Sequence, residues 1–320
     1  MKIGVVTVNY KSAELTKKNI HSLITLDTAH ELHIVVVDND SLDNSVSVIS
    51  DYIKENNLFD KVEIIASDIN GGFAYGCNLG ISYHLNKTQP DFYWLLNPDA
   101  AALEGSVDEL VSALQQNPKV GIAGSRLENT DGSPRNAAFD FHTWKTELSR
   151  GFGLAFLDRF FVGNTKTPSD ISSTLLYSDW VSGASMMIKR QVVEEIGLMD
   201  EQYFLYFEEM DYCLKAYSYG WQCIHVPASR VLHVAGSSSG VNAVNQPEKR
   251  RPDYWFDSRR RFFIKNYGRL HALVADFFWL VGFTTWRLRN CIQKKQHKYP
   301  PYFLIDSFRN SVFIKGFKID

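Results

Sequence analysis

Two groups of polar residues, far apart in the 320-residue sequence, have the residue types needed to bind a cation and to accept a proton. The first is Asn97-Pro98-Asp99, which follows the apolar run FYWLL. Proline restricts this turn and holds the Asp99 carboxylate beside the Asn97 amide. Such oxygen ligands suit a hard divalent cation that takes its other ligands from phosphate and water. A plain Asn-Pro-Asp turn is the alternative interpretation.

The second cluster places three carboxylates within four positions, at Glu208, Glu209 and Asp211. On a helix, Glu208 and Asp211 share a face while Glu209 points about 100° away, so one carboxylate can enter a cleft while another makes a structural contact. The flanking sequences FLYF and YCL favour buried carboxylates, which need a cation or a raised pKa. The alternative is a solvated helix on which Asp211 pairs with Lys215.

A histidine and an aromatic segment could complete such a site. His233 lies in the apolar run RVLHVAG and becomes a metal ligand if it lies near Asp99; a core histidine is the alternative. The segment DWVSGA joins an aromatic ring to small residues, as sugar stacking and close substrate approach require. It contributes the candidate substrate contacts Trp180, Gly183 and Ala184, and a core tryptophan is the alternative.

Two further motifs could bind a nucleotide. Asp38 ends the apolar run LHIVVV, where a carboxylate can accept the N–H of a pyrimidine base or a ribose hydroxyl, although acids there also serve as helix caps. The sequence NGGFAYGCNLG, residues 70–80, places glycines before a helix, which lets the backbone approach an anion. It is neither a P-loop nor a GxGxxG after the first strand, and close helix packing explains its glycines equally well.

The elements that must position these residues alternate between strands and helices. Helices are predicted after Ser12, Ser41 and Ser106, and another near 208–219. The order βαβα predicts an α/β fold with a largely parallel sheet covered by helices, whose ligands gather at the carboxyl ends of the strands. The predicted strands of the first 125 residues, mostly apolar on both faces, are Ile3–Val8, Leu32–Val37, Val62–Ala66, Phe92–Leu96 and Val120–Ala123.

Later segments are less regular. Turn-rich sequences between 130 and 178 predict mobile or substrate-covering loops. The sequences QCIHV and RVLHV predict two short strands, and GSSSGVNAVNQPEKRRP predicts a flexible loop.

Composition limits the class of protein. With 45% hydrophobic and 22% charged residues, the chain suits one large domain or two. Its four cysteines show no paired framework, and we expect a cytoplasmic protein without signal peptide or spanning helix. Residues 241–320 hold 16 Lys and Arg against 6 Asp and Glu, an excess of ten positive charges, whereas the first 240 residues are acidic.

This basic region interleaves aromatic residues with cations, a pattern expected at an anionic membrane surface. We therefore expect peripheral membrane contact through it. Packing on the main domain or a homodimer surface is the alternative. No nucleic-acid motif accompanies the charge, so no nucleic-acid partner is expected.

Taken in order, the motifs VTVNY, VVDNDSLD, NGGFAYGCNLG, LLNPDA, WVSGASMMIKR and FLYFEEMDYCLKAYSYGW resemble the family 2 glycosyltransferases, which have the GT-A fold. Within that family they look most like bacterial rhamnosyltransferases of O-antigen, capsule and cell-wall polysaccharide assembly. The resemblance covers about residues 1–235. It implies a GT-A domain over residues 1–240 and a basic, mainly helical extension over 241–320.

The resemblance also assigns roles by matching position. It implies Glu209 as the catalytic base, with Glu208 and Asp211 beside it, and Asp99 with His233 as ligands of Mg²⁺ or Mn²⁺. Asn97 stands where the family's first metal-motif acid is usual. The donor pocket would be lined by Thr7, Val8, Asn9, Asp38, Asn70, Gly71, Gly72, Phe73, Gly76, Asn78 and Asn97.

The implied reaction is inverting transfer of a sugar, foremost L-rhamnose from dTDP-L-rhamnose, to a lipid-linked saccharide at the inner face of the cytoplasmic membrane. A UDP-linked donor carrying galactofuranose or N-acetylglucosamine is the nearest alternative. Other classes remain open: a non-catalytic nucleotide-sugar or glycolipid binding module, a nucleotidyltransferase, or a dinucleotide oxidoreductase, against which the missing GxGxxG counts.

Overall fold

The computed structural model describes residues 1–158, 160, 175–234, 249–294 and 299–319. These residues fall into two units. The first takes residues 1–140, 175–204 and 208–234, and the second takes 141–158, 160, 205–207, 249–294 and 299–319. The second unit therefore contains two segments from before residue 240, namely 141–158 with 160 and 205–207, in addition to residues after it. No helix of the described residues combines the length and the apolar character needed to cross a bilayer.

A nine-stranded sheet forms the centre of the first unit, in the order β3-β2-β1-β4-β10-β6-β11-β5 with β8 beside β11. Strands β1 to β4 run parallel, as the apolar runs predicted. The strands are β1 (Lys2–Asn9), β2 (Glu31–Asp38), β3 (Val62–Ala66), β4 (Phe92–Leu96), β5 (Ala100–Ala102), β6 (Val120–Glu128), β8 (Leu176–Ser178), β10 (Ser185–Lys189) and β11 (Gln222–His233). A separate small sheet pairs β7 (Ala138–Phe139) with β9 (Trp180–Val181).

Strand register brings several strand ends to one edge of the sheet. Asn9, the last residue of β1, pairs with Asp38, the last residue of β2. Strand β4 runs beside β1 and ends just before Asn97. Strand β10 is antiparallel to β4, and its first residue, Ser185, pairs with Leu96, so it begins at the same edge.

Strand β11 corrects the prediction of two short strands. It runs continuously from Gln222 to His233, with a register shift against β6 between Val226 and Arg230. The irregular residues around Pro227 leave the ladder there, since proline lacks a backbone donor. The strand then pairs antiparallel with β5, which sets His233 opposite Ala100.

Helices cover the sheet of the first unit. In the described residues they are α1 (Ala13–Ile24), α2 (Ser45–Glu55), α3 (Gly72–Lys87), α4 (Ser106–Gln116), α7 (Arg190–Ile196) and α8 (Glu208–Ser218). Helix α3 lies close to β1, because an added Cβ at Gly76 or Gly80 would stand 2.6 or 2.4 Å from a methyl of Val8 or Val6. These two glycines serve helix packing, the alternative left open by the sequence.

The second unit is helical in its described residues. It contains α5 (Trp144–Phe152), α6 (Ala155–Leu157), α9 (Asp253–Ile292), α10 (Phe303–Arg309) and α11 (Val312–Lys315). Gly268, with φ at 84°, kinks α9. The helical extension is thus confirmed.

The prediction of loops throughout 130–178 is wrong for α5, which a capping box between Thr143 and Thr146 begins. Residues 161–174, with GNTKTPSD, and 235–248, with most of the predicted flexible loop, lie outside the described residues.

Candidate active site

Asp38 is a buried carboxylate fixed by neighbouring side chains. Its Oδ1 accepts hydrogen bonds from Asn9 Nδ2 and Ser41 Oγ, both at 2.6 Å, and its Oδ2 accepts one from Ser41 N at 3.1 Å. Because a carboxylate oxygen can accept two hydrogen bonds, Oδ2 can take another donor. Ser41 is engaged here, which explains why α2 begins at Ser45 rather than directly after Ser41.

The other candidates on β1 make internal contacts with their side chains. Asn9 Oδ1 accepts from Ser12 and Thr16, and Thr7 Oγ1 donates to Asn19 Oδ1 at 3.0 Å. Val8 packs against Gly76. The side chains of these residues therefore make contacts within the unit that fix the end of β1.

Asn19 was not singled out from the sequence, yet it joins two parts of the site. Its Nδ2 donates to the backbone oxygens of Asn97, at 3.1 Å, and Ala100, at 2.8 Å. Together with the bond from Thr7, these contacts tie the end of β1 to the Asn97-Pro98-Asp99 turn.

Asn39 links the end of β2 to the glycine-rich segment. Its Nδ2 donates to Asn70 Oδ1 at 2.9 Å and to Gly72 O at 3.0 Å. Its Oδ1 is buried with no hydrogen-bond partner among the described residues. A buried orphan acceptor beside Asp38 suits a ligand N–H or O–H, and its place next to Asp38 was the sequence signal for it.

The backbone conformation at position 72 requires glycine, because its φ is 88°. An added Cβ there would lie 2.0 Å from Phe204 O, so no other residue fits. Phe73 N then donates to Phe204 O at 2.9 Å. An added Cβ at Gly71 would meet the Tyr75 ring.

Asn78 has a scaffolding contact. Its Nδ2 donates to Met199 O and Glu201 Oε1, and its Oδ1 accepts from Met199 N. The side chain fixes the segment that leads toward α8, rather than facing a ligand.

Asp99 and His233 lie together, as the sequence predicted they would have to. His233 Nε2 is 3.3 Å from Asp99 Oδ1, and both side chains are largely buried. Asn97 Oδ1 and His233 Nδ1 are buried and have no hydrogen-bond partner among the described residues. No cluster of three or more His, Cys, Asp or Glu suited to a metal occurs in the described ranges. Asp99, His233 and the amide oxygen of Asn97 are too few to complete a metal site on their own. They fit a cation that takes its remaining ligands from a bound diphosphate.

Glu209 contacts the segment that carries Gly183 and Ala184. The N–H of Gly183 donates to the Glu209 carboxylate. An added Cβ at Gly183 would lie 3.1 Å from the Phe73 ring and 3.6 Å from Glu209 Oε1. On the next residue, Ala184 O accepts a hydrogen bond from Asn97 N at 3.1 Å. Two adjacent residues, Gly183 and Ala184, thus bind the candidate base and the Asn97-Pro98-Asp99 turn.

The Glu208 side chain is buried, the Glu209 side chain is partly buried, and their carboxyl groups are hydrogen-bonded to each other. Burial, then the charge of Glu209, raises the pKa of Glu208 well above its ordinary value of 4.5. Burial also raises the pKa of Glu209, while bonds from the Gly183 N–H and from Glu208 oppose that rise. The proton of the pair therefore belongs on Glu208, and Glu209 carries the charge.

Asp211 and Trp180 also have defined contacts. Asp211 Oδ1 accepts from the Tyr203 hydroxyl at 3.0 Å inside the unit. Trp180 is partly exposed, stacks on Phe139 with ring centroids 4.4 Å apart, and donates from Nε1 to Asp140 O at 3.1 Å. Asp211 has the structural contact expected of one member of the acidic cluster, and the small β7–β9 sheet orients Trp180.

The sequence profile described as Glycosyl transferase family 2 matches residues 4–196, which include Asp38, Asp99 and Gly183. The chain belongs to glycosyltransferase family 2.

Relatives share this family at modest identity. A protein of Haloferax volcanii named as a hexosyltransferase of low-salt glycan biosynthesis is 30% identical over 214 residues, which cover 67% of this chain and 61% of that protein. An N-acetylglucosaminyl-diphospho-decaprenol L-rhamnosyltransferase of Mycobacterium tuberculosis is 27% identical over 74% of this chain and 78% of its own. A dTDP-rhamnosyl transferase of Shigella flexneri is 25% identical over 73% of this chain and 72% of its own.

Solved structures share the fold. A mannosyltransferase of Pyrobaculum calidifontis, in complex with GDP-Man and Mn²⁺, superposes with a TM-score of 0.58 at 14% identity and covers 96% of this chain and 86% of its own. The S. aureus TarS fragment in complex with UDP-GlcNAc has a TM-score of 0.53 at 13% identity, covering 99% and 84%. The predicted GT-A fold is confirmed.

Proposed function

We propose that the protein is an inverting glycosyltransferase that moves a sugar from a nucleotide donor to a lipid-linked saccharide in bacterial surface polysaccharide synthesis. The observation that carries this proposal is the Gly183–Ala184 segment, which binds Glu209 on one side and the Asn97-Pro98-Asp99 turn on the other. A base and a candidate cation site held by adjacent residues are what transfer from a nucleoside diphosphate requires.

In the proposed reaction, Glu209 accepts the proton of the acceptor hydroxyl as its oxygen attacks the anomeric carbon. The bond from that carbon to the nucleoside diphosphate breaks, and one displacement inverts the configuration. Glu208, kept protonated by burial and by the Glu209 charge, holds the base in place through their shared hydrogen bond. The Gly183 N–H fixes the other side of the Glu209 carboxylate.

Asp99 and His233 are the proposed holders of Mg²⁺ or Mn²⁺, supported by their 3.3 Å contact and by the orphan Asn97 Oδ1. A divalent ion bound there supplies positive charge to the diphosphate leaving group. Asp38 Oδ2 and Asn39 Oδ1 are the proposed acceptors for donor groups of the nucleotide, since both retain acceptor capacity. The Mn²⁺ complex of the Pyrobaculum mannosyltransferase supports the choice of ion by fold alone.

The proposed donor is dTDP-L-rhamnose, and the proposed acceptor is a saccharide carried on a lipid diphosphate. Support comes from the relatives named for rhamnose transfer, one of which is named for a decaprenyl-diphosphate acceptor. We accordingly place the enzyme at the inner face of the cytoplasmic membrane. A UDP-linked donor of galactofuranose or N-acetylglucosamine is the second candidate, and UDP-GlcNAc bound to the TarS fragment favours including it.

A donor panel tests both the reaction and the sugar. Purified protein is incubated with Mg²⁺ or Mn²⁺, a polyprenyl-diphosphate-linked N-acetylglucosamine, and dTDP-L-rhamnose, UDP-galactofuranose or UDP-GlcNAc in turn. We expect dTDP-L-rhamnose to give a kcat/KM at least about tenfold above the others, and Asp99→Asn to lower it by about 10²-fold. Asp131→Asn, an exposed aspartate bound to Ser133, is the matched control and should leave the rate unchanged.

Two results would reject the proposal in different ways. Nucleotide binding without turnover on any donor would favour a binding module. Turnover that survives Asp99→Asn at the level of Asp131→Asn would show that the site lies elsewhere.

A further inference from the structure

The second half of helix α9 has an uncovered apolar face. Leu270, Leu273, Phe277, Val281 and Leu288 follow one another at helical spacing and are between 37% and 76% exposed. Thr284 fills the one gap in the row, and its hydroxyl donates to Leu280 O within the helix. We call this row, with the exposed Ile292 at its end, the apolar stripe.

The other sides of α9 are packed within its own unit. Helix α5 crosses it so closely that an added Cβ at Gly282 would lie 2.8 Å from Gly151 C, and Trp144 stacks on Phe278. On a second side, Phe303 of α10 contacts Trp279 and Phe283. The apolar stripe is therefore left over after the unit has formed its described contacts.

The charge around the stripe has a single sign. Between residues 258 and 319 the acids within the described ranges are Asp276 and Asp306, both buried and paired with Arg259 and Arg250. Seven cations in the same stretch are exposed: Lys265, Arg269, Arg287, Lys294, Arg309, Lys315 and Lys318. Arg269 and Arg287 stand about five helical turns apart and so lie on the same flank of the helix.

We propose that the apolar stripe of α9 docks onto the surface of an anionic phospholipid bilayer. Leu, Phe, Val and Ile side chains entering the acyl boundary would gain burial, while the cations beside them meet lipid phosphates. Charge decides between occupants: a second copy would bring two cationic surfaces together, whereas an anionic bilayer complements them. The same unit exposes further apolar side chains at Ile305, Phe308, Phe313 and Ile314, which enlarges the surface available to lipid.

This docking goes beyond the proposed function. It rests on that function only for the identity of the membrane, which is the cytoplasmic membrane. Vesicle binding needs neither a donor nor an acceptor. Wild-type protein that transfers sugar to a detergent-soluble acceptor but does not bind vesicles would refute the docking alone. Wild-type protein that binds vesicles but transfers no sugar would refute the transfer reaction alone.

Flotation with vesicles tests the docking directly. The full chain is mixed with vesicles of phosphatidylcholine and phosphatidylglycerol in a 7:3 ratio, or of phosphatidylcholine only, and the bound fraction is measured at low and high salt. The test variant is Leu270→Gln with Phe277→Gln and Leu288→Gln. The control changes three exposed aromatic residues of the first unit: Phe59→Gln, Tyr217→Gln and Tyr219→Gln.

We expect wild-type protein to bind the anionic vesicles. The stripe variant should bind them about a hundredfold or more weakly, since it lacks three large apolar side chains. The control should bind like wild type. Arg269→Gln with Arg287→Gln should lower binding about tenfold at low salt, and high salt should weaken wild-type binding because it screens the cations. Circular dichroism and thermal melts check that every variant is folded.

Three outcomes would overturn the proposal. Wild-type protein could fail to bind the anionic vesicles, or the stripe variant could bind as well as the control. Sedimentation could also show a wild-type dimer that the stripe variant converts to a monomer, which would make the stripe a subunit interface.

Discussion

Two groups of buried carboxylates, one in each unit, have opposite electrostatic surroundings. In the second unit, Arg259 lies between Glu147, at 2.5 Å, and Asp276. Burial would raise the pKa of Glu147, but the charges and hydrogen bonds of Arg259 and His142 together outweigh burial and lower that pKa to about 2. In the first unit, Glu208 and Glu209 have each other and backbone N–H groups as neighbours, and both pKa values are raised.

The difference separates acids that hold a fold together from acids held ready for chemistry. A buried carboxylate beside a guanidinium is stable in its charged form, so it joins helices and does not exchange its proton near neutral pH. A buried carboxylate without a cation has a high proton affinity, which a general base needs. Glu147 belongs to the first kind, and Glu209 to the second.

Glu209→Gln should give the largest effect, because it removes the proposed base without removing a structural ion pair. We expect the transfer rate to fall by about 10²- to 10⁴-fold, with donor affinity unchanged. Glu55→Gln, at an exposed position on α2, is the control. Steady-state kinetics measure the transfer rate, and calorimetry measures the donor affinity. An unchanged rate would show that Glu209 is a structural acid and not the base.

Arg259→Met should damage the second unit, because it removes the guanidinium that the buried carboxylates of Glu147 and Asp276 share. We expect the free energy of unfolding, measured by denaturant titration, to fall by about 3–5 kcal/mol. Arg287→Met, at an exposed position of the same helix, should change it by less than about 0.5 kcal/mol. Equal losses in both variants would mean that the buried triad is not what holds this unit together.

Acid should weaken the same triad in wild-type protein. The folded pKa of Glu147 lies below its ordinary value, so its contribution is complete above about pH 4.5 and is lost as the pH falls toward 2. The loss is on the order of 3 kcal/mol. Glu147→Gln should be less stable than wild type at pH 7 and show a shallower decline over this range in thermal melts; a decline as steep as that of wild type would remove Glu147 as its source.

Glu208→Gln should have the smallest effect, and it should be stabilising. The folded pKa of Glu208 is raised, so its burial costs stability above that pKa, and the cost disappears as the pH falls toward 4.5. Removing the ionisable group should raise the Tm by about 1–2 °C at pH 7.5, the change that about 1 kcal/mol produces in a protein of this size. A lower Tm at that pH would indicate a structural role for the carboxyl.

Much of the fold could be predicted from the sequence because the strands are apolar on both faces. The predicted bounds of β3 and β4 match the structure, and β1 and β2 differ by one residue at each end. Helix α5 was missed because it is short and because turn-rich sequences flank it on both sides, although its residues do alternate at helical spacing. The Thr143 capping box was the available local signal.

The charged candidates of the site were named from the sequence, whereas two of its amide side chains, Asn19 and Asn39, were not. Asp99 follows β4 and His233 ends β11, and the pairing of β11 with β5 brings the two side chains to 3.3 Å. Their role as metal ligands stays a prediction. The contributions of Asn19 and Asn39 depend on strand register and on loop conformation. Neither can be deduced from residue type, since asparagine is common in turns.

The most direct test of Glu209 as the base is the pH dependence of kcat for transfer, measured beside Glu209→Gln with donor saturating. The ionised carboxylate is the active form, so the wild-type rate should rise with pH through a single ionisation above 4.5 and then level off, while the variant keeps a low, flat residual rate. A wild-type rate independent of pH, or the same rising profile in Glu209→Gln, would contradict the account.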